Sequence, residues 1–391
     1  MNTLTTDKIF DGINCSFDIF YQLSILRDRP APDIPKIMKL KNWLLIVFLC
    51  ILSPFFSQAQ TKSAIWPAQK ANAWYAKQKW INGSDFIPST AINQLEMWQA
   101  DTFDPKTIDR ELGYAEGIGF NTMRVFLHSM AWQQDHQGFK QRVAKYLSIA
   151  DKHHIKTIFV FFDDCWNANA KPGKQPEPKT GIHNSGWLQD PGNRLNEPGE
   201  IAMLQKYVTD VMTSFKHDKR ILLWDLYNEP GNSGKGDKSL DLLSKIYSWA
   251  RVVNPDQPLS IGMWDWSFEK LNAFQLTHSD VITYHDYEDP EKHERVVQLL
   301  KANGRPVICT EYMARPRNST FANTMPMLKK EHVGAINWGL VAGKTNTMYA
   351  WDSPMPNGEE PKIWFHEVFR KDGAPYSKDE TELIKKLNNN E

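Results

Sequence analysis

The stretch Ile221-Leu222-Leu223-Trp224-Asp225-Leu226-Tyr227-Asn228-Glu229-Pro230 is a mostly apolar run that stops abruptly on two polar residues. Ile221–Tyr227 is short, largely apolar and aromatic, as a strand buried on both faces must be. Pro230 and Gly231 cannot comfortably continue it, which fixes Glu229 at its end. A buried strand with polar residues at its C-terminal end is the unit of a closed parallel barrel, where the site is built from strand ends.

Working outward, the same unit recurs. The runs Trp80–Ile87, Thr122–Leu127, Thr157–Phe162, Leu259–Met263, Val281–Tyr284, Pro306–Thr310 and Ala335–Trp338 also read as strands. Trp80–Ile87 is the weakest of them, because Asn82-Gly83-Ser84-Asp85 interrupts it. Between them lie helix-like stretches: Lys140–His154, Ile201–Lys216, Lys238–Val253 and Pro290–Ala302. In the second, Ile201, Leu204, Val208 and Met212 recur at spacings of three and four and make one apolar face. Eight strands separated by helices predict an α/β fold, a (β/α)8 TIM barrel. An open doubly wound sheet is the alternative, but no Gly-x-Gly-x-x-Gly turn follows the first strand. The segment Asp163–Pro198 is a long loop rich in Pro, Gly, Lys and Asn, of the kind that is functional or mobile.

The chain's 391 residues suit one large barrel domain, and 41% hydrophobic with 24% charged residues is ordinary for a globular protein. Lys plus Arg (46) balances Asp plus Glu (46), so no basic stripe points to nucleic acid. Aromatic content is high, with 15 Trp, and an indole face suits the C–H-rich face of a sugar ring. The run Trp43–Phe56 follows Lys39 and Lys41 and ends at Ser57-Gln58-Ala59. It is short for a membrane span and reads as a secretory signal peptide over residues 38–59. Leu49 before Cys50 argues against lipidation. Residues 1–37 are read as a non-native extension upstream of a true start at Met38, and residues 60–391 as a single catalytic domain. A secreted or periplasmic location follows, with no membrane span in the mature chain. Of the four cysteines, Cys165 and Cys309 remain in that chain and read as two buried thiols rather than a bridge.

Polar residues collect at the strand ends. Arg124 lies inside the second strand; the third ends in Asp163-Asp164-Cys165-Trp166, and the fourth in Asn228-Glu229-Pro230. The fifth runs into Trp264-Asp265-Trp266, the sixth into His285-Asp286-Tyr287, the seventh into Glu311, and the eighth ends at Trp338. A lone rim glutamate is usually an ion-pair partner. Two of them, at the ends of strands four and seven, are the pair that glycosidic-bond cleavage requires, one carboxyl held protonated and one ionised.

These residues carry a resemblance. Asn228-Glu229-Pro230 closing strand four and Glu311 closing strand seven look like the retaining glycoside hydrolases of clan A, and most like family 5, the cellulase and mannanase family. Arg124, the His285-x-Tyr287 pair and Trp338 strengthen it. The resemblance implies that Glu229 is the acid/base and Glu311 the nucleophile. It implies that Asn228 holds the sugar 2-hydroxyl, that Arg124 and Tyr287 hydrogen-bond the nucleophile, that His285 lines the acid/base side and that Trp338 stacks under the −1 sugar. On physical grounds, Arg124 beside Glu311 is expected to lower its pKa, and partial burial to raise that of Glu229. Trp166, Trp187, Trp264 and Trp266 are candidates for outer subsites or for loop packing. The third strand departs from the family, ending in Phe161-Phe162-Asp163-Asp164 where many members carry a His. Asp163 and Asp164 are left as holders of substrate hydroxyls or parts of a surface loop.

The expected substrate is a β-linked, β-1,4 plant-type polysaccharide or oligosaccharide: mannan, glucan or xylan. No cofactor and no metal is expected. A metal hydrolase would draw on Asp163, Asp164, His183 and His285, but no His-Glu-x-x-His motif is present and His153-His154 is placed mid-helix. A transglycosylase would share every residue named, and a non-catalytic sugar-binding barrel is the remaining alternative.

Overall fold

The computed structural model describes residues 65–389; the expected extension over 1–37 and signal peptide over 38–59 lie outside the described residues. Its eight strands are β1 (Asn82–Asp85), β2 (Thr122–Phe126), β3 (Lys156–Asp163), β4 (Ile221–Asn228), β5 (Leu259–Ser260), β6 (Ile282–His285), β7 (Val307–Tyr312) and β8 (Gly334–Asn337). They form one parallel sheet in the order β5-β4-β3-β2-β1-β8-β7-β6. Pairing of β1 with β8 joins the two ends of the chain's strand series. A bridge between Met263 and Tyr284 spans the remaining gap, with the His285 amide donating to the Met263 carbonyl at 2.8 Å. Helices surround the strands, and the described residues form a (β/α)8 TIM barrel.

The four residues that seemed to interrupt the first strand are the strand itself. Gly83 is the reason: a Cβ there would stand 1.6 Å from the Thr122 carbonyl oxygen, so only glycine lets β1 lie this close to β2. Its polar neighbours are buried, and Ser84 donates its hydroxyl to the Asn337 carbonyl on β8.

Alternation along the strands separates two cores. Ile158, Leu223, Ile308 and Ile336 meet inside the barrel, while Trp224 and Leu226 turn outward beneath the helices. The helix Glu200–Phe215 buries Leu204, Val208 and Met212 as its spacing predicts, with Tyr207, Val211 and Phe215 widening the stripe. The helix Pro290–Lys301 starts on Pro290 with Asp289 capping the Lys292 amide, a contact worth about 1 kcal/mol. His153 and His154 are not mid-helix: the helix His136–Lys152 ends before them, His154 has φ +59°, and His153 pairs with Asp109 and Glu116.

The segment 163–198 is packed rather than loose. His183, Asn184, Trp187, Leu188, Gln189 and Asp190 are all buried, and Asp163 and Asp190 form an antiparallel bridge. Phe126, Val160, Cys165 and Trp187 make a third small core at the C-terminal mouth of the barrel, with Trp338 packed against it.

Candidate active site

Arg124 on β2 organises the mouth. Fully buried, its guanidinium donates to Asp85 at 2.9 Å, Asp225 at 3.0 Å, Glu311 at 2.9 Å and the Asn228 side-chain oxygen at 2.7 Å. Strands β1, β4 and β7 thus meet on one cation. Three carboxyls exceed what one guanidinium can neutralise, so burial pushes Asp85 well above the usual carboxylate range and raises Asp225 as well. Loss of Arg124 would strand buried carboxylates, at a cost on the order of 3–5 kcal/mol.

Glu311 accepts from Arg124 through Oε1 and from the Tyr287 hydroxyl through Oε2, at 2.9 Å each. Glu229 faces it. Its Oε1 lies 2.8 Å from His285 Nδ1, and its Oε2 accepts from the Cys165 thiol at 3.1 Å and the Asn232 amide at 2.5 Å. Glu229 has φ +46°, in the left-handed region that a side chain avoids, and the turn aims its carboxyl across the mouth. His285 Nδ1 is also 3.4 Å from Glu311 Oε2. Burial pushes the imidazole down to about 4, so the ring between the two carboxyls is neutral near pH 7. Oxygens of Glu229 and Glu311 and His285 Nδ1 all lie within 4.8 Å of one another.

Burial raises the pKa of both glutamates. For Glu311 this corrects the expectation that Arg124 sets a lowered value: desolvation outweighs the guanidinium, which only offsets it. The two carboxyls nevertheless differ in kind. Glu311 keeps a cationic donor, while the thiol, amide and neutral imidazole around Glu229 carry no charge, so a proton is held more readily on Glu229 than on Glu311.

The structure brings together Arg124, Asn228, Glu229, His285, Tyr287 and Glu311. Asn228 spends its side chain on Arg124, on Asp163 at 3.0 Å and on the Cys165 sulfur at 3.4 Å. Trp338 is half-buried at the end of β8, its ring edge-on to Phe126 and to Trp187. Trp166 is 42% exposed at the rim. Trp264 is half-buried, its indole N–H donating to the Pro230 carbonyl at 3.0 Å, and Trp266 packs against the outer core.

Of the two readings of Trp187, outer subsite or loop packing, the structure has the packing: the indole is buried and its N–H donates to Asp163 at 2.7 Å. The expectations for the third-strand aspartates fail. Neither Asp163 nor Asp164 is on a surface loop or open to substrate. Asp163 accepts from Trp187, Asn228 and the Cys165 amide, and burial pushes its carboxyl up to about 7. Asp164 accepts from Tyr227, the Gly231 amide, Lys235 and Ser239, pinning the turn that carries Glu229. His183 Nδ1 donates to the Tyr349 carbonyl at 2.8 Å and packs among the rings of Trp166, Trp351 and His366. Asp85, Asp225, Cys165 and Trp351 were missed by sequence reasoning. Trp351 lies edge-on to Tyr287 at 5.0 Å, yet comes from a segment with no strand or helix signal. Glu229, His285 and Glu311 are close enough to hold a cation, but the Arg124 charge at Glu311 opposes one, and the set suits proton transfer instead.

The family model for cellulases, glycosyl hydrolase family 5, matches residues 92–344. No curated protein matches the sequence. Among solved structures, the fold is similar to a family 5 protein of Bifidobacterium longum subsp. longum in complex with Manβ1-4GlcNAc, at 13% identity and TM-score 0.54, covering 80% of this chain and 78% of that one. The endo-β-1,4-mannanase of Thermotoga petrophila is similar at 15% identity and TM-score 0.51, covering 81% and 77%. An exo-β-1,4-mannosidase of Opitutaceae bacterium strain TAV5 is similar at 15% identity and TM-score 0.53, covering 84% and 61%.

Proposed function

The chain belongs to glycosyl hydrolase family 5 and is a retaining O-glycosyl hydrolase, and on that premise we propose a double displacement at β-1,4-linked mannosides in which Glu311 is the nucleophile and Glu229 the acid/base. The observation that carries the mechanism is the separation of at most 4.8 Å between oxygens of the two carboxyls. Retention needs roughly 5–5.5 Å, whereas inversion needs roughly 6.5–9.5 Å to admit a water. Glu229, protonated, gives its proton to the glycosidic oxygen as Glu311 attacks C1 and the C1–O bond breaks. The glycosyl ester on Glu311 is then hydrolysed by a water whose proton returns to Glu229. Arg124 and Tyr287 hold Glu311 in register, and His285 keeps Glu229 aimed. In this reading Trp338 supplies the sugar platform, Asn228 holds the 2-hydroxyl, and Trp166 and Trp264 flank the leaving group.

Mannosides head the substrate class, ahead of glucan and xylan, because the similar folds include a mannanase, a mannosidase and a complex with Manβ1-4GlcNAc. Proton NMR of the first product from an aryl β-mannoside tests the reading. The β-anomer is expected, and first release of the α-anomer would overturn it. Export through a signal peptide at 38–59 is part of the proposal. Among the described residues no helix is long and apolar enough to cross a membrane. N-terminal sequencing of the mature protein, expected to begin at Gln60, checks the export.

A further inference from the structure

Three segments at the mouth are locked into one wall. From the segment after β1, Asn93 donates to Gln175 and to the Gly186 carbonyl at 2.9 Å each, and Gln99 exchanges two hydrogen bonds with Gly173. From the segment after β8, the Thr345 carbonyl accepts from the Asn184 amide, and the Met355 amide donates to the Gly181 carbonyl. The contacts leave no room for a methyl group. A Cβ on Gly181 would stand 1.8 Å from the Met355 carbonyl oxygen, one on Gly186 2.4 Å from Ile92, and one on Gly343 2.5 Å from Ser89. All of residues 163–198 that the wall uses come from the segment after β3, so it spans the rim above β3, β2, β1 and β8.

Behind the wall is a pocket lined by Trp338, Trp187, Phe126, Ile87, Asp85 and Thr345. Its lining combines the rings of Trp338, Trp187 and Phe126 with the polar side chains of Asp85, Thr345 and Thr347. Asp85 uses Oδ1 on Arg124, while its buried Oδ2 has no partner among the described residues, a polar atom that a sugar hydroxyl can satisfy whichever of the two carries the proton. Arg124 joins this pocket to Glu311. Glu229 lies on the other side, where the segment after β4 leaves Ser233 and Gly234 exposed and Trp166 stands at the rim.

We propose that the enzyme acts at chain ends, the walled pocket taking a single non-reducing-end sugar whose C1 faces Glu311, with the rest of the substrate leaving through the open side at Glu229. The inference rests on the reading of the two glutamates, because the acid/base must stand on the leaving-group side. A chain running on past the terminal sugar would have to pass through packed backbone.

The test uses β-1,4-mannotetraose tagged at its reducing end and the same compound with a 4,6-O-benzylidene cap on its non-reducing sugar. The expected result is mannose as the first product of the free form and at least a hundredfold slower cleavage of the capped form, with no fall in the viscosity of linear mannan. Internal cleavage of the capped form at a comparable rate would overturn chain-end action while leaving the retaining mannoside reading intact. Inertness of both forms together with an inert aryl β-mannoside would overturn the mannoside reading and this inference with it.

Discussion

Glu229 occupies a backbone position that costs a side chain on the order of 1–2 kcal/mol, and it is followed by a proline that restricts it further. Such strain persists where the surroundings over-determine it, here through the four donors on Asp164 that hold the turn. Glu229→Ala should therefore lose chemistry rather than architecture. Its rate on poor leaving groups is expected to fall far more than on activated aryl leaving groups, which need no proton. Azide should restore part of the activity with a β-glycosyl azide as product, and chromatography of that product is the check. Cys165 offers a second test. Its thiol helps the ionised form of Glu229 against burial, so Cys165→Ala is expected to raise the Glu229 pKa. Activity is lost as pH rises through that value, so the alkaline limb of kcat/KM should shift upward; a limb unchanged from wild type would remove Cys165 from the account. The meeting of Glu229 and Glu311 was legible because ends of strands four and seven converge on one barrel mouth, whereas either glutamate alone reads as an ion-pair partner. The thiol contact was not, since nothing local in Asp164-Cys165-Trp166 says which way the chain turns.

At the scale of the element, β3, β4 and β7 were legible from apolar, β-branched and aromatic runs, and the structure extends β3 and β4 by one residue into the polar end. The first strand was harder because its signal is inverted: Asn82, Ser84 and Asp85 are buried polar residues that face the barrel interior and its neighbours. Gly83 is what remains of a packing signal. Gly83→Ala places a methyl in the Thr122 carbonyl and is expected to cost more than the ~1–3 kcal/mol of ordinary overpacking, because a backbone atom is the obstacle. Chemical denaturation should show it, and a midpoint equal to wild type would contradict the register of β1 on β2. The third-strand aspartates were misread for a related reason. A polar pair after a strand reads as surface, whereas here buried tryptophan, asparagine, serine and tyrosine side chains supply the donors that let both carboxyls turn inward.

Across the whole molecule, burial sets two opposing pH trends. His183 and His285 are pushed down to about 4 and His293 to about 3, whereas an unfolded histidine titrates near ~6.5. Between those values the unfolded chain holds more protons, so these groups cost stability as pH falls from about 6.5. Asp163, Asp286 and Glu367 are pushed up to about 7, so the stability they contribute is full below the unfolded value of ~4 and is lost as pH rises through 7. The two sets cancel in part. Glu367→Gln removes one member of the second, and its melting temperature should climb more steeply than wild type between pH 4 and 7 by calorimetry. The wall of interlocked loops has a consequence of another kind. If only termini fit, the concentration the enzyme meets is a count of molecules, and a gram of long polymer is a dilute solution while a gram of trisaccharide is a concentrated one. Its turnover on a fixed mass should scale inversely with degree of polymerisation, which sets it to work after an enzyme that cuts internal bonds has multiplied the ends.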